Sequence, residues 1–188
     1  VGGVAIFLAF LIVNALAGAI PGESQSLLAA MAVTVAVGVL DDAHEIGHRS
    51  KFFAQIAAAL LVATGTSVHM MHFGDLFGFG DIELGKWAPL VTVVSIVGLM
   101  NAINMIDGVD GLAGSVVLPP LLIQAALAAT SGQGRLAFEL LALASAVAGF
   151  LFFNLRSPWR ARAAAFMGDT GGLLLGLSSI SVPWATLA

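Results

Sequence analysis

Residues 101–112 read N-A-I-N-M-I-D-G-V-D-G-L, and they interrupt an apolar run that extends from residue 91 to residue 129. A carboxylate near lipid depth is costly and normally faces a protected aqueous cavity. Asp107 and Asp110 stand three residues apart, which places them on one face if the segment is helical. Gly108 and Gly111 permit a tight turn or the close approach of a ligand. Asn101 and Asn104 repeat the same spacing with amides, which suit a nucleobase or a sugar. An interhelical polar seam is the plainer alternative.

Three further groups could do chemistry. Asp41-Asp42 follows Val39-Leu40 directly. Adjacent carboxylates repel, so one of them needs a cation or a raised pKa; the pair could hold Mg²⁺ or take a proton from a nucleophile. A solvated loop ending a helix explains the pair equally well. Phe166-Met167-Gly168-Asp169-Thr170-Gly171-Gly172 opens the last apolar run. There Asp169 fits an ordinary N-cap, and the glycines expose N–H groups to a phosphate. Ser50-Lys51 with Gln55 four residues on puts Lys51 and Gln55 on one helix face. Lys51 suits a phosphate, or it snorkels at the interface. His44-Glu45-Ile46-Gly47-His48 fits the H-E-x-x-H pattern of zinc proteases. Gly47 and the preceding aspartates favour a loop there over a buried helix.

The elements that must position these groups follow from composition. Of 188 residues, 59% are hydrophobic and 10% charged, with a mean hydropathy of +1.01. A soluble domain carries roughly 25% charged residues, so the chain is expected to be an all-α polytopic membrane bundle in one integral membrane domain, 1–188. A net charge of −4 without a basic tract gives no sign of nucleic-acid binding, and the lack of cysteine excludes disulfides and thiolate metal sites. Seven spans are expected: 4–20, 26–40, 52–68, 87–102, 112–129, 136–153 and 171–187. Turns are expected at Pro21-Gly22 and at 131–134, a kink at Pro119-Pro120, and a small hairpin within 74–86 centred on Phe79–Gly85.

Seven crossings put 1–3, 41–51, 103–111 and 154–170 on one face, and 21–25, 69–86 and 130–135 on the other. The first face carries Arg49, Lys51, Arg156, Arg160 and Arg162 against Lys86 and Arg135 on the second, so the first is expected to be cytoplasmic. Asp41, Asp42, Asp107, Asp110 and Asp169 all fall on that face, each at the end of a span.

In order and spacing, Asp41-Asp42, Ser50-Lys51-x3-Gln55, Asn101-x2-Asn104-x2-Asp107-Gly108-x-Asp110-Gly111-Leu112 and Phe166-Met167-Gly168-Asp169 resemble the polyprenyl-phosphate N-acetylhexosamine-1-phosphate transferase family, on its undecaprenyl-phosphate N-acetylglucosamine branch. The resemblance covers nearly the whole chain. It implies an enzyme of the bacterial cytoplasmic membrane, with its site facing the cytoplasm. Undecaprenyl phosphate would attack the β-phosphorus of a UDP-N-acetylhexosamine, releasing UMP, with Mg²⁺, or Mn²⁺ in its place, bridging the diphosphate.

By the match, Asp169 would ligate the metal. Asp41 and Asp42 would position or deprotonate the lipid phosphate, Asp42 also helping to hold the metal. Asn104, Asp107 and Asp110 would hold the nucleotide, with Asp110 counted among the catalytic acids and Asn101 beside them. Phe166 would lie beside the uracil, and Lys51 would contact a phosphate. A homodimer is a further expectation. Gly172 stands where the family usually has serine. A first helix with a basic loop and a later cytoplasmic loop rich in His or Arg are expected outside these residues, which makes this chain a fragment of the family domain. The competing readings are an intramembrane zinc protease built on His44 and His48 and a cation carrier using buried aspartates. CDP-alcohol phosphotransferases are disfavoured, because their D-G-x2-A-R run is absent.

Overall fold

A computed structural model describes residues 2–18, 24–66, 70–75, 77–78, 80–156 and 162–184, with the backbone alone for 24 and 180–184. Among these, seven α-helices form: α1 (Gly2–Leu16), α2 (Ser24–His44), α3 (His48–Gly65), α4 (Ala88–Ile106), α5 (Leu112–Thr130), α6 (Gly134–Asn154) and α7 (Gly168–Trp184). The seven expected spans are therefore present as helices. The stretches around α2, α4, α5 and α6 are long and apolar enough to cross a membrane, while α1 is apolar but shorter. Leu16, Leu90, Val94, Ile123, Leu127 and Phe152 lie exposed along these helices. An apolar exterior of this kind is what a lipid-facing bundle presents.

The helix α7 is the axis of the bundle and touches all six of the others. Leu173, Leu174, Leu175 and Leu177 are buried around its circumference. A helix that is apolar on all sides has to be enclosed. Lipid tails are as apolar as leucine, so enclosure rests on close packing, which small residues allow. A Cβ on Gly172 would lie 2.8 Å from Asn104 Cα, and one on Gly3 would lie 2.6 Å from Gly171 Cα. Gly176 and Gly38 likewise leave no room for a Cβ against Met100 and Thr170. The α4–α7 contact at Gly172 thus has no space for the serine that the resemblance leads one to expect.

Polar side chains inside the helices turn back on their own backbones. Asn14, Thr34, Thr92 and Ser178 each donate to the carbonyl four residues earlier, at 2.7–2.8 Å. This satisfies them where no water is present. Helix α5 remains helical through Pro119 and Pro120. The turn at 131–134 forms as expected, while Pro21-Gly22 lies outside the described residues, as do Phe79 and Arg160.

Three local expectations need correction. Helix α2 continues through Asp41 and Asp42 to His44, and α3 begins at His48, so the expected 41–51 loop shrinks to three residues. The carboxylates can stay helical because they bond to other elements. The hairpin begins earlier than expected: His72 pairs antiparallel with Glu83, and Phe73 N–H donates to Ile82 O at 3.0 Å. Residues 107–111 form a turn rather than helix, with Asp107 ending α4 and Gly111, at φ +81°, opening α5. That left-handed geometry is one glycine adopts without strain.

Candidate functional site

The site is built on the starts and ends of α2, α3, α4 and α7. Asp41 and Asp42 sit in the last turn of α2, and Lys51 in the first turn of α3. The Lys51 ammonium bridges two carboxylates, pairing with Asp41 Oδ2 and with Asp169 Oδ2 at 2.6 Å. Asp42 faces the start of α7: its Oδ1 accepts from the Asp169 N–H at 3.0 Å and its Oδ2 from the Thr170 hydroxyl at 2.7 Å. A carboxylate on α2 therefore caps another helix, where orphan N–H groups and the helix dipole favour negative charge. Gly168 makes this fit possible. Its φ is +74°, and a Cβ there would come within 2.6 Å of Asp42 Oδ2.

Asp41 is 6% exposed, and its Oδ1 has no hydrogen-bond partner. An unsatisfied carboxylate oxygen in a buried place calls for a proton, a cation or a ligand donor. Asp107 is half-buried and accepts no bond from a cation. Burial first, then the charges of Asp169, Asp110 and Asp42, raise its pKa from 3.8 to about 6. The same neighbours show that the acid-bearing ends meet: α4 brings Asp107 within electrostatic reach of acids on α2, on α7 and in its own turn.

A raised carboxyl pKa stabilises the fold at low pH. The contribution is complete below about pH 3.8 and is lost as pH rises through about 6. With divalent metal withheld, Asp107→Asn is expected to flatten the pH dependence of the thermal midpoint between those limits. Differential scanning of both proteins in one detergent checks this, and parallel curves would contradict it.

Two cavities adjoin the cluster. One, about 820 Å³, opens between α3 and α4; Lys51, Gln55, Asn101 and Asn104 form its polar side, and Phe52 and Phe53 its apolar side. There Asn101 Nδ2 donates to Gln55 Oε1 at 2.6 Å and to Val97 O at 2.8 Å. The other, about 540 Å³, is lined by Asp110, Arg156, Arg162 and Phe166 among others. In it Arg156 Nε donates to Asp110 Oδ2 at 2.7 Å, and Phe166 is 70% exposed. The expected nucleotide set is thus divided: Asn101 and Asn104 lie with Lys51, while Asp110 and Phe166 lie together on the second cavity. A third, apolar crevice of about 710 Å³ between α1 and α6 is rimmed by Phe166 and has no charged lining residue.

One residue carries the site without having been anticipated. Asn154, at the end of α6 and 3% exposed, accepts from Gly111 N–H at 2.7 Å and donates to Ala165 O at 2.8 Å. The available signal was an amide closing an apolar run, the pattern that drew attention to Asn101 and Asn104.

His44 and His48 do not share a helix. Helix α2 ends at His44, Glu45 takes φ +47°, and α3 begins at His48. A zinc-protease helix needs both imidazoles one turn apart on one face, so this reading fails. Among the described residues no three His, Cys, Asp or Glu side chains are grouped to hold a metal by themselves. Magnesium does not need such a cage, because it is bound by one or two carboxylates together with substrate phosphates. The partnerless Asp41 Oδ1 and the part-exposed Asp169, both on one ammonium, suit that mode. Asp42, already committed to capping, suits it less.

Known proteins with similar sequences carry the same helix ends. A probable undecaprenyl-phosphate N-acetylglucosaminyl 1-phosphate transferase of Bacillus subtilis (strain 168) is 34% identical over 94% of this chain and 48% of its own length. Undecaprenyl-phosphate alpha-N-acetylglucosaminyl 1-phosphate transferases of Yersinia pestis and Haemophilus influenzae are 32% and 34% identical, over 96% and 79% of this chain and 49% and 42% of theirs. The chain thus spans about half the length of the curated relatives it matches. The family described as glycosyl transferase family 4 matches residues 24–185, which include every acid, amide and lysine assembled above. On that match the chain belongs to glycosyl transferase family 4.

Proposed function

We propose that this chain is the acidic core of an enzyme that transfers phospho-N-acetylhexosamine, of the N-acetylglucosamine type, from a UDP-sugar to undecaprenyl phosphate, at the cytoplasmic side of the bacterial inner membrane. The observation that carries the proposal is the Lys51 ammonium held by Asp41 and Asp169, with a half-apolar groove on one side and the Asp110–Phe166 cavity nearby. The printed names of the relatives supply the substrate class.

Phosphoryl transfer demands charge neutralisation and in-line placement more than covalent help from the protein. The groove between α3 and α4 suits the lipid phosphate: Lys51 neutralises it, Asn104 and the Asn101–Gln55 pair offer amides, and Phe52 and Phe53 meet the first prenyl units. The second cavity suits the nucleotide, with Phe166 against the uracil and Asp107 and Asp110 receiving ribose or base hydrogens. Asp41, with an oxygen unpartnered, takes the proton or orients the attacking phosphate oxygen. That oxygen forms a bond to the β-phosphorus, the bond from this phosphorus to the bridging oxygen breaks, and UMP leaves with the electron pair. Mg²⁺, or Mn²⁺ in its place, would be held by Asp169 and Asp41 and would neutralise the diphosphate. Asp42 keeps Asp169 in register through its cap.

The test uses the full-length protein in detergent, with UDP-N-acetylglucosamine and undecaprenyl phosphate. UMP is expected to appear in step with lipid-linked diphosphate sugar, to stop on addition of EDTA and to resume with excess Mg²⁺. Absence of turnover with every UDP-amino sugar tried would overturn the proposal.

A further inference from the structure

Residues 154–156 tie together two segments that meet nowhere in sequence. Asn154 accepts from Gly111 N–H and donates to Ala165 O, so one amide serves the α4–α5 turn and the strand of chain leading to Phe166. Leu155 packs over Gly111 so closely that a Cβ on the glycine would lie 3.0 Å from Leu155 Cγ. Arg156 completes the contact on Asp110 at 2.7 Å. The backbone reinforces one half, since Ala164 N–H donates to Phe153 O at 2.8 Å. The Asn154 amide makes no cap on its own helix; both of its bonds run outward. A planar amide is needed, because the pair to be satisfied is one N–H and one C=O. Aspartate would present an acceptor to the Ala165 carbonyl, and leucine would satisfy neither.

We propose that Asn154 is a positioning residue that sets the distance between the Asp110 turn and Phe166, and so the fit of the sugar nucleotide in the cavity between them. This rests on the reading of that cavity given above. The lipid-phosphate side is anchored independently, through Asp41, Lys51 and Asp169. Damage to Asn154 therefore has a direction: it harms one substrate and spares the other.

The experiment measures the two KM values separately for full-length wild type and Asn154→Asp, with thermal midpoints in detergent alongside. Asn154→Asp is expected to raise the KM for the UDP-sugar about tenfold or more, the factor matching one unsatisfied buried carbonyl. The KM for undecaprenyl phosphate is expected to stay within about twofold, since none of its proposed contacts is lost. If Asn154→Asp yields too little protein, Leu155→Ala loosens the same contact without altering a polar group and should split the two constants in the same sense. An equal rise in both KM values, or no rise in either, would overturn the proposal. Wild-type protein that turns over no UDP-sugar would instead overturn the underlying reading, and this inference with it.

Discussion

Asparagine in place of Asp41 is expected to lower turnover by about 10³-fold with both substrates saturating, the scale of losing a transition-state electrostatic or proton-transfer group. The two carboxylates of the Asp41-Asp42 pair have different surroundings. Asp41 is buried, shares Lys51 with Asp169, and keeps an oxygen that nothing in the protein occupies. Asparagine has nearly the same shape and leaves Lys51 paired with Asp169, so the thermal midpoint should move little. Asp42→Ala should behave in the opposite way. It removes the acceptors of the Asp169 N–H and the Thr170 hydroxyl, and loss of such a cap costs about 0.5–2 kcal/mol. Asp42→Asn keeps an acceptor and should recover most of that stability. Turnover and thermal midpoint, measured on all three variants, decide the matter; an Asp41→Asn enzyme of near wild-type rate would remove Asp41 from the chemistry.

Alanine in place of Gly38 should do comparable damage without touching an ionisable group. A Cβ at this position would meet the backbone of Thr170, with Thr170 N at 2.9 Å. Backbone cannot rotate aside, so α2 must move away from the start of α7. Overpacking of this kind costs about 1–3 kcal/mol. Gly38, Asp41 and Asp42 lie at positions i, i+3 and i+4 of one helix and so share a face. The displacement is thereby delivered to the Asp42 cap and to the Lys51 bridge, and turnover is expected to fall about 100-fold. Gly98→Ala on α4 is the control, because a Cβ there meets nothing within 4 Å. Loss of midpoint and rate in the first variant, against neither in the second, is the expected pattern. A Gly38→Ala protein indistinguishable from Gly98→Ala would show that the helices need not approach this closely.

The seven helices were legible because uninterrupted apolar runs have few alternatives once a chain carries so little charge. The gathering of acids at one end was legible from counting crossings. What was not legible depended on partners far away in sequence. Asp41 and Asp42 look like the start of a loop until Lys51 and the first turn of α7 are seen to receive them; with those partners, helix is tolerated to His44. Asp107 and Asp110 share a spacing that suits a helix, but Gly111 at φ +81° turns the chain, sending Asp110 to Arg156 and leaving Asp107 among like charges. The separation of Asn101 and Asn104 from Phe166 is a tertiary fact that no spacing encodes. Asn154 escaped notice because its two partners lie 43 and 11 residues away.

The enclosure of α7 by all six other helices bears on biogenesis. Those six emerge from the ribosome before α7 does, and none of them can close on its final neighbours until that centre is filled. The early helices must wait in the bilayer as a loose ring, held chiefly by pairs such as α5 with α6 and α2 with α3. Asp169 rides at the leading end of the late helix, so the carboxylate that completes the Lys51 bridge is delivered by the same insertion event that consolidates the bundle. Acquisition of the charged centre and completion of the packed interior are one step of membrane assembly.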